Sequence, residues 1–324
     1  MLNASKLQQV RYMKKSFLVI SILVIVVLTI GIVLWSTNKP SQIAGPDSAD
    51  KLKIVTSFYT IGEFAHQVGG DLVDVEVITP AGTEPHDYEP TPQQISHIYS
   101  ADAFFLNGAG LDSWAEKIAF DISIKSTLPI HTVSVIPLSG VVMLRQSTPV
   151  LDPHFWLDPQ IATEEIREIS LQLTRIDETH GEIYQKNADA YITKLTALSA
   201  EYRAGLANCQ QRTIVASHDA LAYLASAYDF QVIALTGLSP EAEPSAGRLA
   251  EIAQLAQEQQ IKYIYFETLV SPKLAQTIAD EIGAQTLVFN PLEGLTNEEL
   301  ASDANYISVM KTNLQNLRTG MICE

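Results

Sequence analysis

The sequence predicts an α/β protein of two lobes, each built on a mainly parallel four-stranded sheet, joined by a long linking helix and preceded by one N-terminal transmembrane segment. Three observations support this fold class. Short β-branched runs alternate with helical stretches in both halves of the chain, which is the pattern of parallel sheets. Residues 162–207 lack proline and show helical apolar spacing, and residues 17–35 carry no charge.

Length and charge limit what the protein can do. The chain has 324 residues, of which 47% are apolar, so it can bury a substantial core and is expected to form two domains. Its formal net charge is −16. A nucleic-acid partner needs a basic patch for its phosphates, and this composition argues against one.

Residues 1–36 are predicted to contain a cytoplasmic stub and the transmembrane segment. About 20 apolar residues cross a bilayer as a helix, and residues 17–35 suit that length. Basic residues precede this run, so the positive-inside rule keeps the N-terminus in the cytoplasm and places the rest of the chain outside it. These residues are Lys6, Arg11, Lys14 and Lys15.

We predict that this segment is an uncleaved anchor. The alternative is a cleaved signal peptide, whose apolar region is usually shorter, at about 7–15 residues. No cysteine lies near the segment, which removes lipid attachment as an option. Residues 37–51 follow as a linker, because proline, glycine, serine and aspartate are frequent there.

The N-terminal lobe is predicted over residues 52–180. A helix is expected to begin at Thr91 and Pro92, because threonine is a favoured N-cap and proline is favoured at the first helical position. The predicted strands of this lobe are 52–58, 73–79, 103–106 and 129–133.

The linking helix is predicted at 181–207 and the C-terminal lobe at 208–324. At 1.5 Å per residue, the helix is long enough to pass between the lobes. In the second lobe a helix is expected to begin at Ser271 and Pro272 and to end at Gly283. The predicted strands are 213–217, 231–235, 262–266 and 286–289.

The two cysteines, Cys209 and Cys323, leave two possibilities open. Outside the cytoplasm a disulfide between them is chemically permitted, and two separate thiols are the alternative. They are too few, and too distant in sequence from the histidine motifs, to be chosen as metal ligands.

Three histidines indicate a metal site. His86 lies in the proline-marked loop TEPHDYEP, His154 in LDPHFWLDP, and His218 ends the strand TIVASHD. Ligands bind beyond the carboxyl ends of parallel strands, and three imidazoles with one carboxylate would form a closed site for zinc. The competing interpretations are a surface turn for His86, packing beside Trp156 for His154, and an incidental place beside a helix N-cap for His218.

The fourth ligand has three candidates at strand ends, which are the carboxylates Glu267 and Glu293 and the neutral Asn290. We predict Glu293, because its loop contains Pro291 and Gly294 and follows the last strand. Glu267 is expected either to cap a helix or to orient a ligand histidine by accepting its second ring N–H.

Carboxylates also lie near His154. Asp152 and Asp158 flank His154, so one of them could accept its second ring N–H and orient the imidazole. The remaining histidines lack such loops and are expected at structural or surface positions. They are His66, His97, His131 and His180.

At these motifs the chain resembles the metal-specific solute-binding proteins of bacterial ABC transporters, and within that class the zinc-binding group. The similarity extends from about residue 52 to the C-terminus, through PHDYEPTP, HFWLDP, SHDALAYLASAYDF, GLSPEAEPS, FETLVSPKLA and NPLEGLT. It implies two α/β lobes joined by a rigid helix, with the metal held between them and passed to a membrane permease. Manganese-binding relatives usually have glutamate at the third position, so His218 favours zinc over manganese, which prefers oxygen ligands.

This sequence differs from the zinc-binding group in two features. Many zinc-binding members carry a histidine-rich acidic loop between the first two ligand histidines, whereas residues 112–151 contain only His131. Asn290 stands where many relatives have a ligand aspartate, so the fourth ligand is Glu293, a water or none.

Other functions compete with zinc capture. A manganese-binding protein or an adhesin-type surface protein of the same fold are two of them. A zinc hydrolase would keep an open coordination position for water, with Glu267 as the base. Since no HExxH motif or nucleophile elbow occurs, we expect no enzyme activity.

Overall fold

The computed structural model describes residues 51–125, 130–136, 151–240 and 243–324. The predicted transmembrane segment at 17–35 and the linker up to residue 50 lie outside these residues. Within the four described ranges, no helix has both the length and the apolar character needed to cross a membrane.

The N-terminal lobe is built on four strands that are all parallel. Their order in the sheet is β2-β1-β3-β4. The third has the predicted bounds, whereas the first two begin as predicted and each end two residues earlier. The fourth runs one residue further than predicted, to Ser134. The strands are β1 (Leu52–Thr56), β2 (Val73–Val77), β3 (Ala103–Leu106) and β4 (His131–Ser134).

Helices α1 (Tyr59–Gly69), α2 (Pro92–Ile98) and α3 (Ser113–Ile124) accompany this sheet. The predicted start of α2 is confirmed. The Thr91 hydroxyl accepts a hydrogen bond from the Gln94 backbone N–H, the Gln94 side chain caps the Thr91 N–H in return, and Pro92 is the first helical residue.

Two long helices, α4 (Pro159–Ile176) and α5 (Gly181–Gly205), follow and pack against each other. Helix α5 is the predicted linking helix, and it also packs on α1. One apolar cluster extends from the first sheet across α4 and α5 and includes the buried side chains of Ile166 and Leu195. The linking helix is therefore part of the core and not a free connection.

The C-terminal lobe repeats the topology of the first, with strand order β6-β5-β7-β8 and only parallel pairs. The predicted end of one of its helices is confirmed, because Gly283 adopts a φ of 68° directly after Ile282. The strands are β5 (Thr213–Ala216), β6 (Gln231–Ala234), β7 (Tyr263–Phe266) and β8 (Gln285–Val288). The helices are α6 (Ala222–Tyr228), α7 (Ala246–Glu258), α8 (Lys273–Ile282), α9 (Asn297–Ala301) and α10 (Tyr306–Gly320).

A disulfide between Cys209 and Cys323 ties the C-terminus of the chain to the segment after α5. The two residues also form an isolated antiparallel bridge. Of the two possibilities left open by the sequence, separate thiols are wrong. The linking helix gains a second attachment through α10, because the Tyr202 hydroxyl donates to the Met310 carbonyl at 2.7 Å.

Candidate metal centre

Four side chains from loops of both sheets converge on one point. His86 lies in the loop after β2, and His154 directly precedes the short turn Phe155–Leu157. His218 follows β5, and Glu293 follows β8. One potential ligand atom of each side chain lies within 4.8 Å of the others. The folded chain thus brings together all four residues that the sequence predicted as metal ligands.

Five of the six distances among these four atoms are close to the edge length of a small tetrahedron. Nε2 of His154 lies 3.2 Å from Nε2 of His86 and 3.3 Å from Nε2 of His218. Oε1 of Glu293 lies 3.1 Å from Nε2 of His154, 3.2 Å from that of His218 and 3.4 Å from that of His86. Ligands at zinc stand about 2.0–2.1 Å from the metal, which gives tetrahedral edges of about 3.3 Å. The spacing fits a four-coordinate zinc ion.

Two carboxylates hold the histidine rings in the orientation that metal binding needs. Nδ1 of His154 lies 2.7 Å from Oδ1 of Asp152, and Nδ1 of His218 lies 2.7 Å from Oε1 of Glu267. Each Nδ1–H donates to its carboxylate, so the lone pair of each Nε2 faces the centre of the site. All of these side chains are almost fully buried.

This arrangement resolves two questions that the sequence left open. Glu267 orients His218 and does not cap a helix. Of the two aspartates near His154, Asp152 contacts the ring, whereas Asp158 accepts the Gln160 backbone N–H at the start of α4.

The charges around the site favour a cation at its centre. Burial alone would lower the pKa of His218, but the Glu267 and Glu293 carboxylates raise that pKa well above its ordinary value. Burial likewise opposes the positive form of His154, and Asp152 with Glu293 raises its pKa. Burial would raise the pKa of Glu293, yet the charge of His218 and hydrogen bonds from the histidines hold it well below its usual range. Protons and metal ions therefore compete for the same place.

Glu84 is a member of this environment that the sequence analysis missed. Its Oε1 accepts the His86 backbone N–H at 3.1 Å. Burial, followed by the negative charge of Glu293, raises the pKa of Glu84 to about 10. Its carboxyl group is therefore neutral near pH 7 and does not add to the negative charge of Glu293. The only available signal was its position two residues before His86.

Asn290 does not join the four converging side chains. Its backbone N–H donates to Oδ1 of Asn313, and its own Oδ1 accepts the Leu292 backbone N–H. Asn290 thus holds the base of the loop that presents Glu293, and its side chain is occupied by that task.

The other histidines lie away from this centre, as the sequence predicted. His97 pairs with Glu76 on the surface, and His180 pairs with Asp177. His66 lies in the last turn of α1, and His131 begins β4 with an exposed side chain.

Known proteins share this fold and sequence. Residues 54–320 match the family described as zinc-uptake complex component A, periplasmic. The high-affinity zinc uptake system protein ZnuA of Bacillus subtilis (strain 168) is 36% identical over 299 residues, which cover 88% of this chain and 92% of that protein.

Two further similarities involve Streptococcus pneumoniae. The zinc-binding lipoprotein AdcA of serotype 4 (strain ATCC BAA-334 / TIGR4) is 39% identical over 283 residues, which cover 83% of this chain but only 55% of AdcA. The crystal structure of the Zn(II)-bound ZnuA-like domain of AdcA is similar with a TM-score of 0.73 at 39% identity, covering 84% of this chain and 99% of that domain.

Proposed function

Because the chain belongs to the family of periplasmic zinc-uptake component A proteins, we propose that it is an extracytoplasmic protein that binds zinc with high affinity between its lobes and delivers it to an ABC permease. The convergence of three imidazoles and one carboxylate carries this proposal. Five of the six distances among their donor atoms, 3.1–3.4 Å, have the length that tetrahedral zinc requires. The B. subtilis relative is named for zinc uptake, which agrees with this chemistry.

His86, His154, His218 and Glu293 are the proposed ligands. Zinc bound to these four side chains would have a complete tetrahedral shell made by the protein alone. Such a closed shell suits capture and release of an ion, whereas catalysis needs a position for water. Glu267 is also a poor candidate for a hydrolytic base, since its Oε1 already accepts the Nδ1–H of His218.

The type of ligand favours zinc over manganese. Three of the four donor atoms are imidazole nitrogens, and only Oε1 of Glu293 is an oxygen. Imidazole suits zinc, whereas manganese prefers carboxylate, carbonyl and water oxygens in a six-coordinate shell. We therefore expect manganese to bind this site much more weakly.

Titration calorimetry tests the proposal on the full chain in mild detergent, with zinc and manganese in parallel. We expect one equivalent of zinc to bind tightly and to raise the melting temperature. A ligand at about 100 times its Kd stabilises the native state by about 2.7 kcal/mol. An unchanged melting temperature at saturating zinc would remove zinc capture as the function.

The membrane attachment is a separate part of the proposal. The uncharged segment 17–35 has the length of a membrane-spanning helix and follows basic residues, which supports an anchor that holds the zinc-binding body outside the cytoplasm. Fractionation and N-terminal sequencing of the mature protein test it. We expect the intact N-terminus in the membrane fraction. Recovery of soluble protein that begins after about residue 36 would identify a cleaved signal peptide instead.

A further inference from the structure

The loop that presents Glu293 hydrogen-bonds to the opposite lobe on both sides of this residue. The Trp156 indole N–H donates to the Pro291 carbonyl at 2.8 Å. The Thr60 hydroxyl donates to the Leu292 carbonyl. Beyond Glu293, the Gly82 backbone N–H donates to the Leu295 carbonyl at 2.9 Å. All three donors precede the linking helix in the chain, whereas the acceptors follow β8.

The hydrogen bonds from Thr60 and Trp156 are buried. The side chains of Thr60, Trp156 and Leu292 have no exposed surface. Water cannot replace a lost donor at such a place, so removal of the donor would leave a buried carbonyl unpaired. The loop conformation also depends on its surroundings, because Leu292 adopts a φ of 61°, which is rare for a leucine.

The second lobe also holds this loop, mainly at its base. Asn313 exchanges two hydrogen bonds with the Asn290 backbone, and Oδ1 of Asn290 accepts the Leu292 N–H. The carbonyls of Pro291, Leu292 and Leu295, in contrast, accept hydrogen bonds from the first lobe. The position of the Glu293 carboxylate is therefore set from the side that also supplies His86 and His154.

We propose that Thr60 and Trp156 are positioning residues that aim Glu293 at the three histidines and thereby slow the release of zinc. This inference rests on the proposed function. The first lobe contributes two imidazoles and also holds the fourth ligand in place, although that ligand belongs to the second lobe. Movement of the lobes apart would break these hydrogen bonds and the metal contacts in the same step, which makes retention of the ion cooperative.

Matched variants of the full chain in detergent test the role of the hydroxyl. Thr60→Val keeps the shape of the side chain and removes the donor, whereas Thr60→Ser retains a hydroxyl donor. Thr174→Val is the control, because the Thr174 hydroxyl donates to the Ser170 carbonyl within α4. Trp156→Phe removes the indole N–H and supplies an independent variant. Three readouts apply to each variant: zinc release into a chromogenic chelator, the visible spectrum of the cobalt-loaded protein, and the metal-free melting temperature.

We expect Thr60→Val and Trp156→Phe to release zinc about 10-fold faster, the usual lower range for residues that support a ligand. Their cobalt spectra should change, because the carboxylate ligand shifts. Thr60→Ser should behave like the parent, and Thr174→Val should release zinc at the parent rate. Parent-like release from both Thr60→Val and Trp156→Phe would overturn the inference, as would equal acceleration by Thr174→Val. A parent protein that binds no zinc would instead overturn the proposed function itself.

Discussion

Oε1 of Glu267 accepts a hydrogen bond from Nδ1 of His218 at 2.7 Å, while Nε2 of the same ring lies 3.2 Å from Oε1 of Glu293. Two glutamates of one lobe thus contact opposite edges of one imidazole. Glu267 fixes the tautomer and orientation of the ring, and Glu293 lies at the Nε2 edge, which we propose binds zinc. The two carboxylates should therefore differ in how much zinc affinity they control.

Replacing these glutamates separately measures that difference. Glu293→Gln keeps the shape of the side chain but removes the anionic oxygen, so we expect zinc affinity to fall by more than about 100-fold. Glu267→Gln should cost about 10-fold to 100-fold, the range for residues that orient a ligand. Competition with a chelator of known affinity gives both values.

The reverse order would show that the carboxylate ligand is misassigned. If neither substitution changed the affinity, three histidines completed by water would describe the site better. A coordination position that is open to water would again favour a zinc hydrolase.

Acidification should weaken zinc binding. Each coordinating imidazole must be neutral, and an ordinary imidazole titrates near pH 6.5. The carboxylates around His154 and His218 raise the pKa of both rings, so protons compete with zinc already above that pH. We expect affinity to fall continuously from about pH 7 to about pH 5. Calorimetry in buffers of different ionisation enthalpy should also detect proton release on binding. Constant affinity over this range would contradict imidazole ligation.

Gly294, the neighbour of Glu293, offers a test of how closely the loop is packed. A Cβ added at Gly294 would lie 3.0 Å from Cδ1 of Leu269 and 3.4 Å from the Thr83 carbonyl. Gly294→Ala should therefore displace the loop, reduce zinc affinity several-fold and destabilise the protein by about 1 kcal/mol. Gly237→Ala is the matched control, since an added Cβ there meets nothing within 4 Å. Equal zinc affinities of the two variants would argue that the loop adapts freely.

Glu165 on α4 predicts an unusual dependence of stability on pH. The residue is fully buried, and neither carboxyl oxygen has a hydrogen-bond partner among the described residues. Burial, with a smaller contribution from the charge of Glu164, raises the pKa of Glu165 well above its ordinary value. Between the pKa of Glu165 in the unfolded chain and its higher pKa in the folded protein, the folded state therefore holds one proton that the unfolded state has lost.

The proton held by Glu165 determines how the free energy of unfolding changes with pH. The contribution of Glu165 to the free energy of unfolding should fall as pH rises from its unfolded-state pKa towards its folded-state pKa, by about 1.4 kcal/mol per pH unit. Glu165→Gln should remove this contribution, which makes the pH slope less steep, and stabilise the protein near neutral pH. Urea denaturation of the metal-free protein at several pH values measures both effects. Glu182→Gln, an exposed position on α5, should change neither by more than about 0.5 kcal/mol. An unaltered slope in Glu165→Gln would contradict the burial of a neutral carboxyl group.

Much of the fold and of the candidate site followed from local sequence. The strands were predictable because short β-branched or aromatic runs alternate with helical stretches in both halves of the chain, and the lobe topology repeats. His86, His154 and His218 could be selected because each follows a strand or lies in a proline-marked loop, where parallel sheets place ligands. The assignment of these residues and Glu293 as zinc ligands stays a prediction, as do the lobe boundaries at residues 180 and 208.

Other features depend on contacts that local sequence does not encode. The raised pKa of Glu84 arises first from its burial and then from the charge of Glu293, which is distant in the chain. The choice of Asp152 over Asp158 as the partner of His154 depends on backbone direction around the turn at Phe155–Leu157. Asn290 looked like a ligand candidate because it follows β8, but its side chain faces the base of its own loop.

The disulfide between Cys209 and Cys323 has a topological consequence. The two residues are 114 positions apart, so their bond closes the C-terminal lobe into a covalent ring that contains His218 and Glu293 and leaves His86 and His154 outside. In the chain-entropy model a ring of about this size disfavours the unfolded state by about 5 kcal/mol. Two of the four site residues therefore lie within a covalently closed part of the chain, and the other two depend on noncovalent contacts only. We expect amide hydrogens of β5 to β8 to exchange more slowly than those of β1 to β4, and reduction of the bond to remove that difference. When the protein unfolds, His218 and Glu293 would remain within one closed ring, whereas His86 and His154 lie on an unrestrained part of the chain.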